Sequence, residues 1–520
     1  MITRTISGTI QGVDVQTVEI EVNAFDQKSR DPTEQPHFNL IGLPDAAVRE
    51  SRDRVRTALG MNGVAMPTGV TTVNLAPAAL RKTGGLYDLP IALCLCAYRR
   101  QLPAEVLAET MVVGELSLNG ELRGIRGALP LAMHAKGLGL KQMVLPMENA
   151  REAAVSGMRV YGARSLPEAR DILSRLAEAQ PVTVDVNELF QKSVHARLDF
   201  QDVKGQATAK RALLIAAAGN HNVLMVGQPG VGKSLIANRI PGILPPMTLQ
   251  ESMEVTRIYS IAGLLQEANG GLVVDRPFRA PHHTISDAGL LGGGVGIPRP
   301  GEVTLAHRGV LFLDEMPEFR RNTLETLRQP MENGTVTLAR SGGSFTFPAR
   351  FMMVAAMNPC PCGYYGSPDH QCHCSPQQVL SYRGRVSGPM MDRFDLHLEV
   401  PPLPQEVLLS AHQGPSSQTF REKVLEARNR QLFRYKDTTI PDNAGVQGVA
   451  LDQFCALDDN GKNFMKVALE AKHLSARSYD RILRVARTCA DLNGHENISA
   501  EELAEACQYR SLDQTPQDLW

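Results

Sequence analysis

Long apolar runs are missing from this chain of 520 residues. None approaches the ~18 consecutive apolar residues of a membrane-spanning helix, so no such helix is expected. The start, Met1-Ile2-Thr3-Arg4-Thr5-Ile6-Ser7, lacks the charged-then-apolar pattern of a secretory signal. An excess of one charge is missing too, since the formal net charge is -1. That excludes a polybasic coat, and any nucleic-acid contact must come from a localised patch or the lumen of an assembly. Nor is there a secreted disulfide framework: of nine cysteines, five are scattered and four are clustered, which fits a reducing cytoplasm. Short repeats and low-complexity tracts are also absent. What remains is an ordinary soluble composition, 43% hydrophobic and 21% charged, long enough for about two to four domains.

Against that background one motif stands out. Gly227-Gln228-Pro229-Gly230-Val231-Gly232-Lys233-Ser234 is a complete G-x-x-x-x-G-K-[ST] phosphate-binding loop. It follows the apolar run Val223-Leu224-Met225-Val226 and precedes the helix-like Leu235-Ile236-Ala237-Asn238-Arg239. Gly230 and Gly232 let backbone N–H groups turn inward to phosphates, and the start of the next helix adds positive dipole. Lys233 is expected to reach the β- and γ-phosphates, and Ser234 to ligate Mg²⁺. The chain is expected to bind a nucleoside triphosphate.

Texture divides the chain into residues 1–175, a polar linker 176–196, a core 197–402 and a helical region 403–520. The first region alternates as strands do around residues 13–22. The core alternates buried-type strands with amphipathic stretches, as a parallel α/β sheet should. Val310-Leu311-Phe312-Leu313 is one such strand, ending in Asp314 and Glu315. There Asp314 joins the Mg²⁺ shell, and Glu315 is free to polarise a water. A second strand over 351–356 ends at Asn358, placed to orient the same water. Helices are expected over 420–435, 461–473 and 478–492, forming a lid.

The stretch Pro300–Glu315 resembles magnesium-chelatase-type AAA+ ATPases, as do Ala355–Gly363 and Ser387–Asp395; within that group the chain is most similar to the ComM/YifB family. The resemblance spans nearly the whole chain. It implies an α/β fold, an AAA+ P-loop core with a helical lid, preceded by an α+β Lon-protease-like N-terminal domain. It further implies a ring, a hexamer, with ATP between subunits. Arg393 matches an arginine finger, and Arg477 the lid arginine called sensor 2, with Arg481 as the fallback. A rigid, always-charged fork suits spread phosphoryl charge.

Seventy-nine residues separate Ser234 from Asp314. They include Pro277–Thr284 and the glycine-rich 291–296. After Glu315, strands around Thr335–Leu338 and Phe345–Phe347 flank the turn Arg340-Ser341-Gly342-Gly343. Related helicases carry comparable pore-facing insertions. The window 276–350 holds nine Arg, no Lys and seven acidic residues. Arg340 is the expected DNA contact, with an ordinary solvated hairpin as the alternative. Cys360, Cys362, Cys372 and Cys374 form two C-x-C pairs suited to a structural Zn²⁺, with His370 and His373 as substitutes and free redox-sensitive thiols as the alternative.

Residues 113–123 and 145–149 resemble a Lon protease domain. The positions matching its serine and lysine are Asp88 and Gly127, so proteolysis is not expected. The leading expectation is a hexameric DNA motor promoting branch migration in natural transformation and recombination. The alternatives are a chelatase-like metal-insertion chaperone and, disfavoured, a Lon-like protease. The N-terminal module and the cysteine array set the chain apart from the chelatase ATPase subunit.

Overall fold

The period-two alternation near the start of the chain builds one mixed sheet. The computed structural model describes residues 2–27, 37–191, 198–265, 270–294, 298–340, 343–409, 414–472, 474–510 and 512. Strands β1 (Ile2–Gln11) and β2 (Asp14–Ala24) pair antiparallel, from Ile2 opposite Asn23 to Gln11 opposite Asp14. Val18, Ile20 and Val22 are buried and alternate with the more exposed Glu19, Glu21 and Asn23. β3 (Phe38–Ile41), β4 (Thr71–Ala76), β5 (Thr110–Val112), β6 (Gln142–Pro146) and β7 (Arg159–Ala163) complete the order β3-β4-β2-β1-β5-β6-β7. Among the helices of the same unit are α1 (Ala46–Met61), α2 (Asp88–Tyr98) and α3 (Ala128–Gly137). Asp45 caps α1 by accepting from the Val48 N–H at 2.8 Å.

The chain divides into two compact units, one of Met1–Ser193 with Leu249–Val274 and the other of the remainder. Residues 249–274, expected in the core 197–402, therefore fold with the first unit. The helix Leu249–Ala262 buries Val255 and Ile258 there. The Ser260 hydroxyl donates to the buried carboxyl of Glu152, and Arg257 donates to the Val13 carbonyl at 2.8 Å. Burial raises the Glu152 pKa, and the Ser260 and Leu129 donors oppose that rise. The expected linker also contains a short helix, Val186–Gln191, in this unit; its end, 192–196, lies outside the described residues.

The second unit holds helix α4 (Ala207–Gly219) and five parallel strands: β8 (Val223–Val226), β9 (Phe278–Arg279), β10 (Val310–Leu313), β13 (Met352–Met357) and β14 (Leu396–Glu399). Their order is β9-β10-β13-β8-β14. β8, β10 and β13 are buried throughout, which explains their unbroken apolar sequences. Between β10 and β13, β11 (Thr335–Arg340) and β12 (Gly343–Pro348) form the expected hairpin, paired from Thr335–Pro348 to Arg340–Gly343. Its tip residues Ser341 and Gly342 lie outside the described residues, as do Val295 and Gly296 of the glycine-rich stretch.

The C-terminal region is helical as read: α6 (Ser417–Arg434), α7 (Asp459–Lys472), α8 (Ala476–Asn493) and α9 (Ala500–Gln508). His473, expected to end α7, is outside the described residues. Among those residues no helix is long and apolar enough to cross a membrane.

Candidate functional site

Three parallel strands deliver the phosphate-site residues to one sheet edge. β8 leads into Gly227–Ser234, β13 beside it ends at Asn358, and β10 beyond that ends at Asp314 and Glu315. Ligands of open α/β sheets gather at this carboxyl edge. Gly230 and Gly232 adopt φ of 79° and 93°, a backbone that L side chains resist, and the space at both positions is open. Helix α5 (Lys233–Ala237) starts directly after the loop but has only five residues. Its dipole is therefore small, so the loop's own N–H groups and Lys233 carry most of the attraction for an anion. Pro241, in the 3-10 turn Ile240–Gly242, limits the helix expected to run through Arg239.

Lys233 donates to the carbonyls of Gly227 (2.7 Å) and Gln228 (2.9 Å) and to Asn358 Oδ1 (3.1 Å). Burial lowers its pKa, while Asp314 and Glu315 pull it back up. The Ser234 hydroxyl donates to Asp314 Oδ2 at 2.5 Å. Two hard oxygen ligands thus stand side by side, a donor set that fits Mg²⁺. With the open glycine cradle, the residues present fit a Mg²⁺-nucleotide.

Glu315 adopts a left-handed φ of 51°, and its N–H donates to Asp314 Oδ1 at 2.9 Å. A non-glycine residue here costs about 1–3 kcal/mol of local strain, which concentrates at working sites. Its carboxylate is 57% exposed and lies 3.4 Å from His283 Nδ1, whose ring is 4.1 Å from that of His282. His282 and His283 fall in the stretch Pro277–Thr284, to which the sequence alone assigns no role. The signal was a pair of imidazoles just beyond β9, at the same sheet edge as Glu315.

The two arginines expected to serve phosphate are engaged elsewhere in this chain. Arg393 is turned onto the Glu332 carboxylate and the Pro389 carbonyl, not onto the neighbouring Asp392 or Asp395. Arg477 is exposed and bonds Asp392 at 3.1 Å. Arg481, the fallback, donates to the Phe394 carbonyl at 2.9 Å and lies 3.9 Å from Asp395. Burial alone would raise the Asp395 pKa, but His221, Arg484 and Arg481 hold it well below the usual carboxylate range.

The hairpin β11–β12 buries Val336, Leu338, Phe345 and Phe347 on one face and exposes Arg340 at its end. A short antiparallel pair, Gly292–Gly293 with Arg299–Pro300, lies against it: Leu338 Cδ1 comes within 3.2 Å of where a Cβ at Gly292 would stand. Other arginines of the 276–350 window are committed to the fold. Arg276 donates to the Pro245 and Arg308 carbonyls (2.6 and 2.7 Å), and Arg279 grips Glu302 through two bonds of 2.6 and 2.7 Å.

The four clustered cysteines come together, one sulfur from each within 4.8 Å of the others. Backbone N–H groups of the Tyr364 and His373 segments pull the Cys362 thiol down to about 6. The cluster is compatible with zinc.

In the N-terminal unit, the two positions expected to match a protease dyad, Asp88 and Gly127, have structural roles. Asp88 is fully buried and takes two bonds from Arg54, at 2.6 and 3.1 Å, and one from the Leu116 N–H at 3.2 Å. Gly127 precedes α3 with φ 77°, and a Cβ there would sit 2.0 Å from Ile10 Cδ1. No lysine fits.

Comparison with known proteins agrees with this geometry. Residues 199–408 match the family described as magnesium chelatase, subunit ChlI; residues 414–510 match its C-terminal part, and residues 29–149 match subunit ChlI of Mg-chelatase. The last match corrects one expectation: the N-terminal module does not by itself set this chain apart from chelatase subunits. Coverage does more. Competence protein ComM of Haemophilus influenzae is 43% identical over 504 residues, 96% of each chain. A Salmonella typhimurium protein named YifB is 41% identical over 508 residues, again 96% of each chain. The Arabidopsis thaliana magnesium-chelatase subunit ChlI-2 is 23% identical over 334 residues, 58% of this chain and 72% of that one. The chain therefore belongs to the ComM/YifB family of magnesium-chelatase-like AAA+ proteins.

Proposed function

We propose that this protein is an ATP-hydrolysing DNA motor of the cytoplasm, assembled as a hexameric ring, that drives branch migration of recombination intermediates during natural transformation. The observation that carries this is the presence, in one compact unit, of a phosphate-loop edge bearing Asp314, Glu315 and Asn358 and a hairpin that exposes Arg340. The full-length similarity to a protein named for competence supports the same reading. ATP would supply the transferable phosphoryl group, and Mg²⁺ when bound would neutralise developing charge. Lys233 and the N–H groups of 227–234 bind the phosphates, while Ser234 and Asp314 hold the ion. Glu315 takes the proton of the attacking water, with Asn358 holding that water in line. Arg393 exchanges Glu332 for the γ-phosphate of the adjacent subunit, and Arg477 serves as the lid's sensor. Arg340 contacts the DNA strand, and the N-terminal unit is a Lon-protease-shaped module without protease chemistry. Cys360, Cys362, Cys372 and Cys374 would hold a structural Zn²⁺.

The chelatase-family matches favour one competing reading, a metal-insertion chaperone. Steady-state ATP hydrolysis with single-stranded DNA, forked DNA or no addition decides between them, alongside migration of a three-stranded junction. Hydrolysis that rises with DNA and junction movement that needs ATP are the expected results. Hydrolysis indifferent to DNA but stimulated by a chelatase partner would refute the motor.

A further inference from the structure

The cysteine cluster stands beside the phosphate loop. Cys360 follows Asn358 by two residues, and Asn358 holds Lys233 at 3.1 Å. On the same loop, Gly363 packs its backbone against Pro229 of the phosphate motif: a Cβ at Gly363 would sit 2.6 Å from Pro229 Cδ and Cγ. From the outer side, Arg383 donates to the Pro359 carbonyl at 3.1 Å and covers the Tyr365 ring, 5.3 Å from its centroid. The loop is thus clamped onto residues that shape the phosphate site.

The sulfur spacing is compatible with a single bound metal ion. The Sγ atoms of Cys360 and Cys362, Cys360 and Cys372, and Cys362 and Cys372 are 3.3, 3.8 and 3.5 Å apart. A disulfide needs about 2.05 Å. Tetrahedral Zn–S bonds of about 2.3 Å place sulfurs about 3.8 Å from one another. The Tyr365 N–H donates to Cys360 Sγ at 3.3 Å, orienting that sulfur. Four soft ligands around a centre this small suit a single Zn²⁺.

We infer that a zinc ion held by Cys360, Cys362, Cys372 and Cys374 sets the shape of the phosphate loop, so that nucleotide affinity depends on metal occupancy. This rests on reading 227–234 as the nucleotide loop and on the structural zinc proposed above. The ion draws the two C-x-C arms to one point, which keeps Gly363 on Pro229 and Asn358 on Lys233. Its loss frees both contacts at once.

The test uses full-length protein. Metal content is measured by mass spectrometry, and ADP binding by calorimetry, before stripping with a chelator, after it, and after zinc is returned. Far-UV circular dichroism monitors the fold throughout. The expected result is about one zinc per chain, ADP affinity about tenfold weaker on stripping with unchanged helix signal, and recovery with zinc. Gly363→Ala is expected to keep its zinc yet bind ADP several-fold more weakly, which tests the coupling even where cysteine variants misfold. Iron with visible absorption, or no metal, overturns the zinc assignment. Zinc present but ADP affinity unchanged on stripping overturns the coupling. Zinc-loaded protein that never binds ADP overturns the nucleotide reading instead.

Discussion

Replacing Glu315 by glutamine tests the chemistry with the least disturbance of structure. The side chain is 57% exposed and packs little, so the amide fits where the carboxylate stood. The Ser234–Asp314 bond at 2.5 Å and the three Lys233 bonds do not involve Glu315, so nucleotide binding should survive. What disappears is a base for the attacking water. A positioned general base contributes about 10²- to 10⁴-fold, or about 2.7–5.4 kcal/mol of barrier at 1.36 kcal/mol per decade. Phosphate release in the steady state should fall by at least a hundredfold, while the affinity for a fluorescent ATP analogue stays within about threefold. Asp314→Asn provides the contrast: losing a Mg²⁺ ligand, it should weaken metal-dependent binding itself. If Glu315→Gln turns over within threefold of the parent, the water is activated by another group and the assignment fails.

Mixed rings of Arg393→Ala and Lys233→Ala subunits should regain partial hydrolysis, because some junctions then pair an intact loop with an intact Arg393; no recovery at any ratio would place Arg393 within its own subunit's site. Asp395→Asn leaves Arg481, Arg484 and His221 facing an uncharged amide and should cost about 3–5 kcal/mol in denaturant unfolding. The Asp395 carboxylate is held below its ordinary value, so its contribution is full above about pH 4 and is lost as pH falls through its folded value; a wild-type acid-unfolding curve identical to the variant's would contradict this. Arg340→Ala should weaken single-stranded DNA binding and reduce the slope of log affinity against log salt by about one, and an unchanged slope would remove Arg340 from the interface.

Legibility followed the range of the interactions involved. The phosphate loop could be read because its geometry is local: glycines at left-handed positions, a buried strand before and a helix start after. Asp314 and Glu315 were readable from Val310–Leu313, since a strand buried on both faces ends where it meets solvent. The cysteines announced themselves by clustering. Side-chain pairing between distant segments could not be read. Nothing in Pro281–Thr284 says that His283 reaches Glu315, and nothing near Arg393 names Glu332, 61 residues upstream. The helix Leu249–Ala262 has an apolar face, but amphipathicity does not say which unit will cover it. In the fold it joins the first unit, where Ser260 donates to the buried carboxyl of Glu152.

The same long-range pairing ties the segment bearing Arg393 to the strands that carry the phosphate loop and Asn358. Arg477, Arg481 and Arg484 recur at the spacing of one face of α8. All three reach the segment 392–395: Arg477 to Asp392 at 3.1 Å, Arg481 to the Phe394 carbonyl at 2.9 Å, and Arg484 to Asp395 at 3.7 Å. Arg510, buried beyond α9, adds a second donor to the Phe394 carbonyl at 2.6 Å. From the other side Asn222, at the foot of β8, gives its side-chain amide to the Arg393 carbonyl (3.1 Å) and takes the Asp395 N–H on its own carbonyl (2.9 Å). Its side-chain oxygen meanwhile accepts from Met353 of β13 at 2.8 Å. The segment bearing Arg393 is thus fastened at once to the lid, to the strand that carries the phosphate loop and to the strand that carries Asn358. Side chains packed and bonded this densely have discrete arrangements and do not deform continuously. A shift of α8 relative to β8 must therefore move the Arg393 backbone with it.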